Sequence, residues 1–259
     1  MNKQQIVVNT IAFMEQVQQG AKQFTFFESL SDLGITHVEV RQEYFMQPDE
    51  FSVTAREAQR WGLTLLYSVP QALFCKGRLD TEMVQQTLHQ AMELSCVAIK
   101  WTRGEFRGWH EADRNWMIQQ ANTFRGLLTV ENDQTELDGT LQQYSEFLLA
   151  CRYAGVPLFS TFDIGNWVFV GEDPLVNAGQ LRTWVRYIHV KDVVITEDGP
   201  HTAPLGEGEL SLVEVFHRLP ADVLVALEYP CGSRPLDVLR DGIDWLARMK
   251  SGSRELMPW

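Results

Sequence analysis

Eight short β-branched runs recur along the chain at a nearly constant interval. They are IVVN from Ile6, HVEVR from His37, LTLLYSV from Leu63, VAIKW from Val97, LLTVEN from Leu127, PLFSTFD from Pro157, YIHVKD from Tyr187 and VLVALEY from Val223. Subtracting successive start positions gives 31, 26, 34, 30, 30, 30 and 36 residues. That interval is the length of one strand, one helix and two loops, so the chain reads as a βα unit repeated eight times.

Between the runs lie stretches with helical spacing. Thr81 to Leu94 places Met83, Val84, Leu88, Ala91 and Leu94 on one stripe, and Leu141 to Ala154 does the same with Leu141, Tyr144, Phe147, Leu148 and Cys151. Each stripe would bury against a sheet. Asp80 and Asp138 stand as expected N-caps of these two helices, and Gly155 stands where the second must turn into the next strand.

Eight βα units can form an open doubly wound sheet or a closed (β/α)8 barrel. A chain of 259 residues with no composition break, linker or low-complexity tract favours closure, and predicts one barrel domain over 1–259. There is no GxGxxG after the first run and no GxxxxGK[ST] anywhere, so the usual nucleotide-binding signatures are missing.

Composition limits the partners. With 22 Lys plus Arg against 34 Asp plus Glu the formal net charge is −12, which repels a phosphate backbone and makes nucleic acid an unsuitable partner. Cys75, Cys96, Cys151 and Cys231 form no CxxC pair, which fits neither a disulfide framework nor a thiolate zinc site and points to a reducing cytoplasm. The apolar start IVV is cut short by Asn9 and Thr10, and no stretch approaches the roughly 20 apolar residues of a membrane span. The expectation is a cytoplasmic protein, neither exported nor anchored.

A (β/α)8 barrel carries its reactive groups at the C-terminal ends of its strands. Here the fifth run ends in Glu131 and Asn132, the sixth in Asp163, the seventh carries His189 followed by Lys191 and Asp192, and the eighth ends in Glu228. Strands about 4.8 Å apart can bring Glu131, Asp163, His189 and Glu228 to one point. Clustered carboxylates without a cation repel one another, so the set makes physical sense around one divalent ion. Three carboxylates and one imidazole suit Mn²⁺, Mg²⁺ or Co²⁺, with Zn²⁺ allowed, and do not distinguish among them.

Other residues near the strand ends admit two readings. Glu39, Arg41 and Glu43 alternate on one face of the second run, so Arg41 either pairs with a carboxylate or grips an anionic substrate group through its guanidinium fork. Lys191 points the same way as His189 along an alternating strand, toward an oxyanion at the mouth or toward Asp192 or another carboxylate. Lys100, Arg103 and Arg107 are candidates for further positive charge over the mouth. Phe45, Trp101, Trp109 and Trp167 fall near strand ends, where a ring can line a sugar pocket or pack on the rim; Trp101 is the substrate candidate among them. His37 and His217 are assigned no role, and His110 and His201 are weak candidates.

With these residues in place, VEVRQEY, TVEND, FDIGNW, YIHVKD, PLGEGEL and ALEYP together resemble the xylose isomerase-like (β/α)8 barrel family of sugar and sugar-phosphate isomerases and epimerases. The resemblance runs from the second run to the last. It implies that Glu131, Asp163, His189 and Glu228 bind the divalent ion and that Glu131 and Glu228 double as the acid/base pair. The implied reaction moves a proton between carbons of a small sugar, sugar phosphate or keto-polyol through a cis-enediolate. Asn166, three residues after Asp163, falls where members of the family often place a substrate-contacting His or Asn. The family also contains inosose dehydratases, which use the same first proton abstraction, and the endonuclease IV branch, which the charge and the small histidine count disfavour. A non-catalytic sugar-binding barrel has no need of paired glutamates around an ion. Resemblance and the aromatic terminus ELMPW imply a homo-oligomer, dimer or tetramer.

Overall fold

The computed structural model describes residues 3–135 and 139–250. Asp138 and the terminal ELMPW lie outside the described residues.

Each of the eight runs forms a strand: β1 Ile6–Asn9, β2 His37–Arg41, β3 Thr64–Cys75, β4 Ala98–Gly104, β5 Leu127–Glu131, β6 Phe159–Asp163, β7 Val185–Val190 and β8 Leu224–Leu227. Consecutive strands pair in parallel, and β8 pairs in parallel with β1, which closes the barrel. Both faces of these strands are covered, one by the barrel interior and one by helices, and this is why the sequence shows near-continuous apolar runs.

Alternation along the strands sorts the side chains into two cores. Val7, Leu66, Ala98, Tyr187 and Ala226 form a small cluster of their own, while Ile99, Trp101, Val130, Phe162 and Trp167 belong to the large core shared with the helices. The ladder partners Ser68, Lys100 and Thr129 continue the first set toward the C-terminal end of the barrel, and polarity rises along it. The inner face thus passes from apolar to ionic along the barrel axis.

The expected helices form at Thr81–Glu93 and Leu141–Ala154. Asp80 caps the first, accepting the Met83 N–H at 3.0 Å. Thr140 occupies the N-cap position of the second, and Gly155, with φ of 71°, ends it in the left-handed region that disfavours side chains.

Two features had no counterpart in the expected pattern. β3 runs past its predicted end, with a register break between Ser68 and Ala72 where Pro70 cannot donate to the ladder, and its tip pairs antiparallel with Arg78–Leu79. After β7 the chain makes a two-stranded hairpin, Asp192–Thr196 with Gly199–Ala203, turning at Glu197-Asp198. Asp192 does not pair with Lys191: its carboxylate accepts the N–H groups of Val193, Gly206 and Leu210 at 2.9, 3.1 and 3.1 Å, and so pins the PLGEGEL turn. Gly208 passes so close that a Cβ there would fall 2.2 Å from Asp192 Oδ1. No helix among the described residues is long and apolar enough to cross a membrane.

Candidate metal centre

Glu131 and Asp163 close β5 and β6, His189 is the penultimate residue of β7, and Glu228 directly follows β8. One donor atom from each of the four lies within 4.8 Å of the others, and all four side chains are buried. The structure therefore brings together the whole set that strand-end reasoning selected.

Every member of the set is held from outside on one atom and turns another inward. Glu131 Oε2 accepts from Lys100 Nζ at 2.7 Å, and its Oε1 lies 2.6 Å from His189 Nδ1. Asp163 Oδ1 accepts the Asn166 N–H at 2.9 Å, leaving Oδ2 to face the Lys191 ammonium at 2.7 Å. Glu228 Oε1 takes Arg41 at 3.1 Å and Asn9 Nδ2 at 3.4 Å, while Oε2 is 3.2 Å from both His189 Nδ1 and Lys191 Nζ. His189 offers Nδ1 to the cluster and directs Nε2 at Glu39 Oε2, 2.9 Å away. Glu39 is in turn held by Asn9 Nδ2 at 2.7 Å. Inward donors fixed by outer partners are what a cation site requires, and a carboxylate behind the imidazole is a common orienting device for a ligating histidine. The donor set fits a divalent ion.

Burial and mutual contact move the charges in opposite directions. Burial pushes the Glu131 carboxyl up, but the Lys100 ammonium and His189 outweigh it and the repulsion of Glu228, and bring it down to about 2. Glu228 follows the same logic: burial opposes ionisation, His189 and Lys191 reverse that, and the carboxyl ends well below the usual range. Asp163 goes the other way, because burial dominates the Lys191 ammonium and Glu228 and Glu131 add repulsion, and is pushed up to about 7. For His189 burial favours the neutral ring, but Glu228, Glu39 and Glu131 override it and raise it well above its ordinary value. Groups driven this far apart within one cluster mark a site built for charge.

Of the other expected residues, Lys191 joins the cluster directly. Arg41 sets its guanidinium against Glu228 at 3.1 Å and against Glu43 at 2.6 Å. Asn166 is committed on both ends of its amide: Nδ2 donates to the Asn132 carbonyl at 2.9 Å and Oδ1 accepts from Gln134 at 2.9 Å. Trp101 is not brought to the cluster; it is fully buried in the outer core, on the opposite face of β4 from Lys100.

Of Lys100, Arg103 and Arg107, Lys100 reaches the centre through Glu131. Arg103 donates to the Gln143 carbonyl, and Arg107 pairs with Glu105 at the surface. Phe45 stacks on Phe51, Trp109 packs edge-on against Phe74 and Phe106, and Trp167 packs against Tyr144 and Phe162. Three supporting residues were not singled out from sequence for these roles: Asn9, Glu39 as the partner of His189, and Asn132, whose amide clamps both the N–H and the carbonyl of Asp163 at 2.9 and 3.0 Å. Asn9 carried a usable signal, since it is the polar residue ending the first run.

A cavity of about 870 Å³ is lined in part by Gln42, Glu43, Phe45, Gln71 and His89, and by none of the four clustered residues. It is linked to the cluster by contact: Glu43 holds Arg41, and Arg41 holds Glu228.

No family model and no curated protein sequence matches the chain. Its structure is similar to solved structures over nearly its whole length. The probable 3-DHS dehydratase AsbF of Bacillus anthracis has a TM-score of 0.69 at 17% identity, covering 94% of this chain and 98% of that one. An L-ribulose 3-epimerase has a TM-score of 0.68 at 12% identity, covering 98% and 100%. The IOLI protein with a bound zinc atom has a TM-score of 0.69 at 11% identity, covering 97% and 100%. These likenesses show the fold, a (β/α)8 TIM barrel.

Proposed function

We propose that the protein is a divalent-metal-dependent isomerase or epimerase of a small sugar, sugar phosphate or related keto-polyol. The observation that carries this reading is the pair Glu131 and Glu228, two ionised carboxylates reaching one imidazole nitrogen from separate strands, with Asp163 completing a four-donor set. Glu131, Asp163, His189 and Glu228 would hold the ion. Bound there, a divalent cation supplies Lewis acidity toward a carbonyl oxygen and makes the adjacent C–H more acidic.

The protein's own groups do the proton work. One of the two glutamates takes the proton from the carbon next to the carbonyl, and the C–H electrons move into the enediolate. The same glutamate, now carrying that proton, returns it to the neighbouring carbon while a proton passes between the two substrate oxygens, giving isomerisation; for epimerisation the other glutamate first takes a proton from a substrate hydroxyl or from solvent and delivers it to the opposite face. Lys191, at the edge of the cluster, would donate to a substrate oxygen. The described likenesses are consistent with this class: one similar protein is an epimerase and another binds zinc. The likeness to a probable dehydratase keeps a second outcome in view, in which the same abstraction is followed by loss of a hydroxyl.

One experiment separates them. Mn²⁺-loaded protein is incubated in D₂O with ketoses, ketose phosphates, hydroxypyruvate and inososes, and carbon-bound deuterium is read by NMR. Exchange with retention of all hydroxyls supports the isomerase or epimerase, exchange with a dehydrated product moves the protein to the lyases, and no exchange on any compound counts against proton-transfer chemistry on these substrates.

A further inference from the structure

Lys191 stands where the ligand carboxylates converge. Its Nζ is 2.7 Å from Asp163 Oδ2 and 3.2 Å from Glu228 Oε2, and those oxygens are the inward donors of their residues. Asp163 Oδ1 is committed to the Asn166 N–H, so Oδ2 is the oxygen that Asp163 has left for a cation. An ammonium and a divalent ion cannot both press on that oxygen without strong like-charge repulsion in a buried site.

The lysine is also placed with care. A Cβ at Gly165 would fall 2.5 Å from Lys191 Cγ, 3.1 Å from Cε and 3.2 Å from Cδ, so the stem lies directly over the Gly165 backbone. Gly165 itself has φ −75° and ψ −33°, a conformation open to any residue. The missing side chain in the DIGN turn therefore serves the lysine and not the backbone.

We infer that Lys191 is a resident counter-ion that competes with the divalent cation for Asp163 Oδ2 and Glu228 Oε2, and so sets the cation affinity of the site. It acts through those two carboxylates and is in this respect a positioning residue. Without the ion the ammonium neutralises the ligands; when the ion enters, the flexible stem lets the ammonium withdraw from them. The inference rests on the metal reading above and concerns what that site pays in affinity.

The test is calorimetric titration of the full chain with Mn²⁺ alone, in the wild type, Lys191→Met and Gly165→Ala. Lys191→Met keeps the length of the stem and removes the charge. Gly165→Ala keeps the charge and all four donors but pushes the stem off its path. The expected result is a Kd for Mn²⁺ about tenfold or more lower in Lys191→Met, by removal of one like charge at close range, with a shift in the same direction in Gly165→Ala. A lysine that only braced the fold would leave Kd unchanged or raise it in both variants, and either result overturns the inference while leaving the metal reading intact. If Lys191→Met does not fold, Gly165→Ala decides alone. Absence of Mn²⁺ binding by all three at millimolar concentration overturns the metal reading and this inference with it.

Discussion

Glu39 Oε2 lies 2.9 Å from His189 Nε2, a contact between two side chains with no solvent exposure, made across the barrel interior from β2 to β7. The ring turns Nε2 toward this carboxylate and Nδ1 between Glu131 and Glu228. Glu39→Gln should therefore weaken Mn²⁺ binding by about 10- to 100-fold, the usual cost of losing such an outer partner, while leaving all four donors in place. Equilibrium dialysis of the variant against wild type measures it, and an unchanged Kd would remove Glu39 from the site.

The paired glutamates make a kinetic prediction. At saturating Mn²⁺, Glu131→Gln and Glu228→Gln should each lower solvent-deuterium incorporation by about 10²-fold or more, the range for loss of a positioned acid or base. Both carboxyls are held ionised through the neutral range by neighbouring positive charge, so the wild-type rate should not fall between pH 6 and 8 through their protonation. Near wild-type exchange in either variant would take that residue out of the proton transfer.

The barrel and the four donors were legible because both depend on short-range pattern. Strands buried on two faces must be apolar and β-branched, and a polar residue such as Asp163 or Glu228 ending such a run stands out against them. The supporting contacts were less legible because they depend on closure. Nothing local in HVEVR says whether Glu39 will meet Arg41 beside it or His189 from another strand, and Lys100 reads as a loop-side cation until β4 and β5 are in register. Trp101 misled for a related reason: one residue of alternation separates the inner face, where Lys100 points, from the outer core, where the indole is buried.

Asn132 tests how far the site depends on its frame. Its amide satisfies the buried N–H and carbonyl of Asp163, tying the end of β5 to the end of β6. Asn132→Ala leaves both groups without these partners, and should cost about 2–3 kcal/mol of unfolding free energy. Urea denaturation measures the loss, and Mn²⁺ affinity should fall with it if Asp163 is a donor as proposed. A variant as stable as wild type would mean that water replaces the amide at no cost.

Asp113 supplies a pH test away from the centre. Its carboxylate accepts Arg78 Nε and a terminal guanidinium nitrogen, both at 2.8 Å, and the Leu79 N–H at 3.4 Å, which ties the short strand Arg78–Leu79, the antiparallel partner of the β3 tip, to the helix Glu111–Phe124. These bonds, Arg78 first, hold the carboxyl below its ordinary range. A carboxyl depressed in the folded state contributes stability above its unfolded pKa and loses it as pH falls through the folded one. Asp113→Asn should therefore be less stable than wild type at pH 7, with the gap closing below about pH 4, where the unfolded carboxyl begins to protonate. Arg78 is 57% exposed, so the contribution is screened and should shrink further in high salt. Thermal melts of both proteins at pH 7 and pH 3 decide the matter: a gap of equal size at the two values would mean that Asp113 acts through packing and not through its charge.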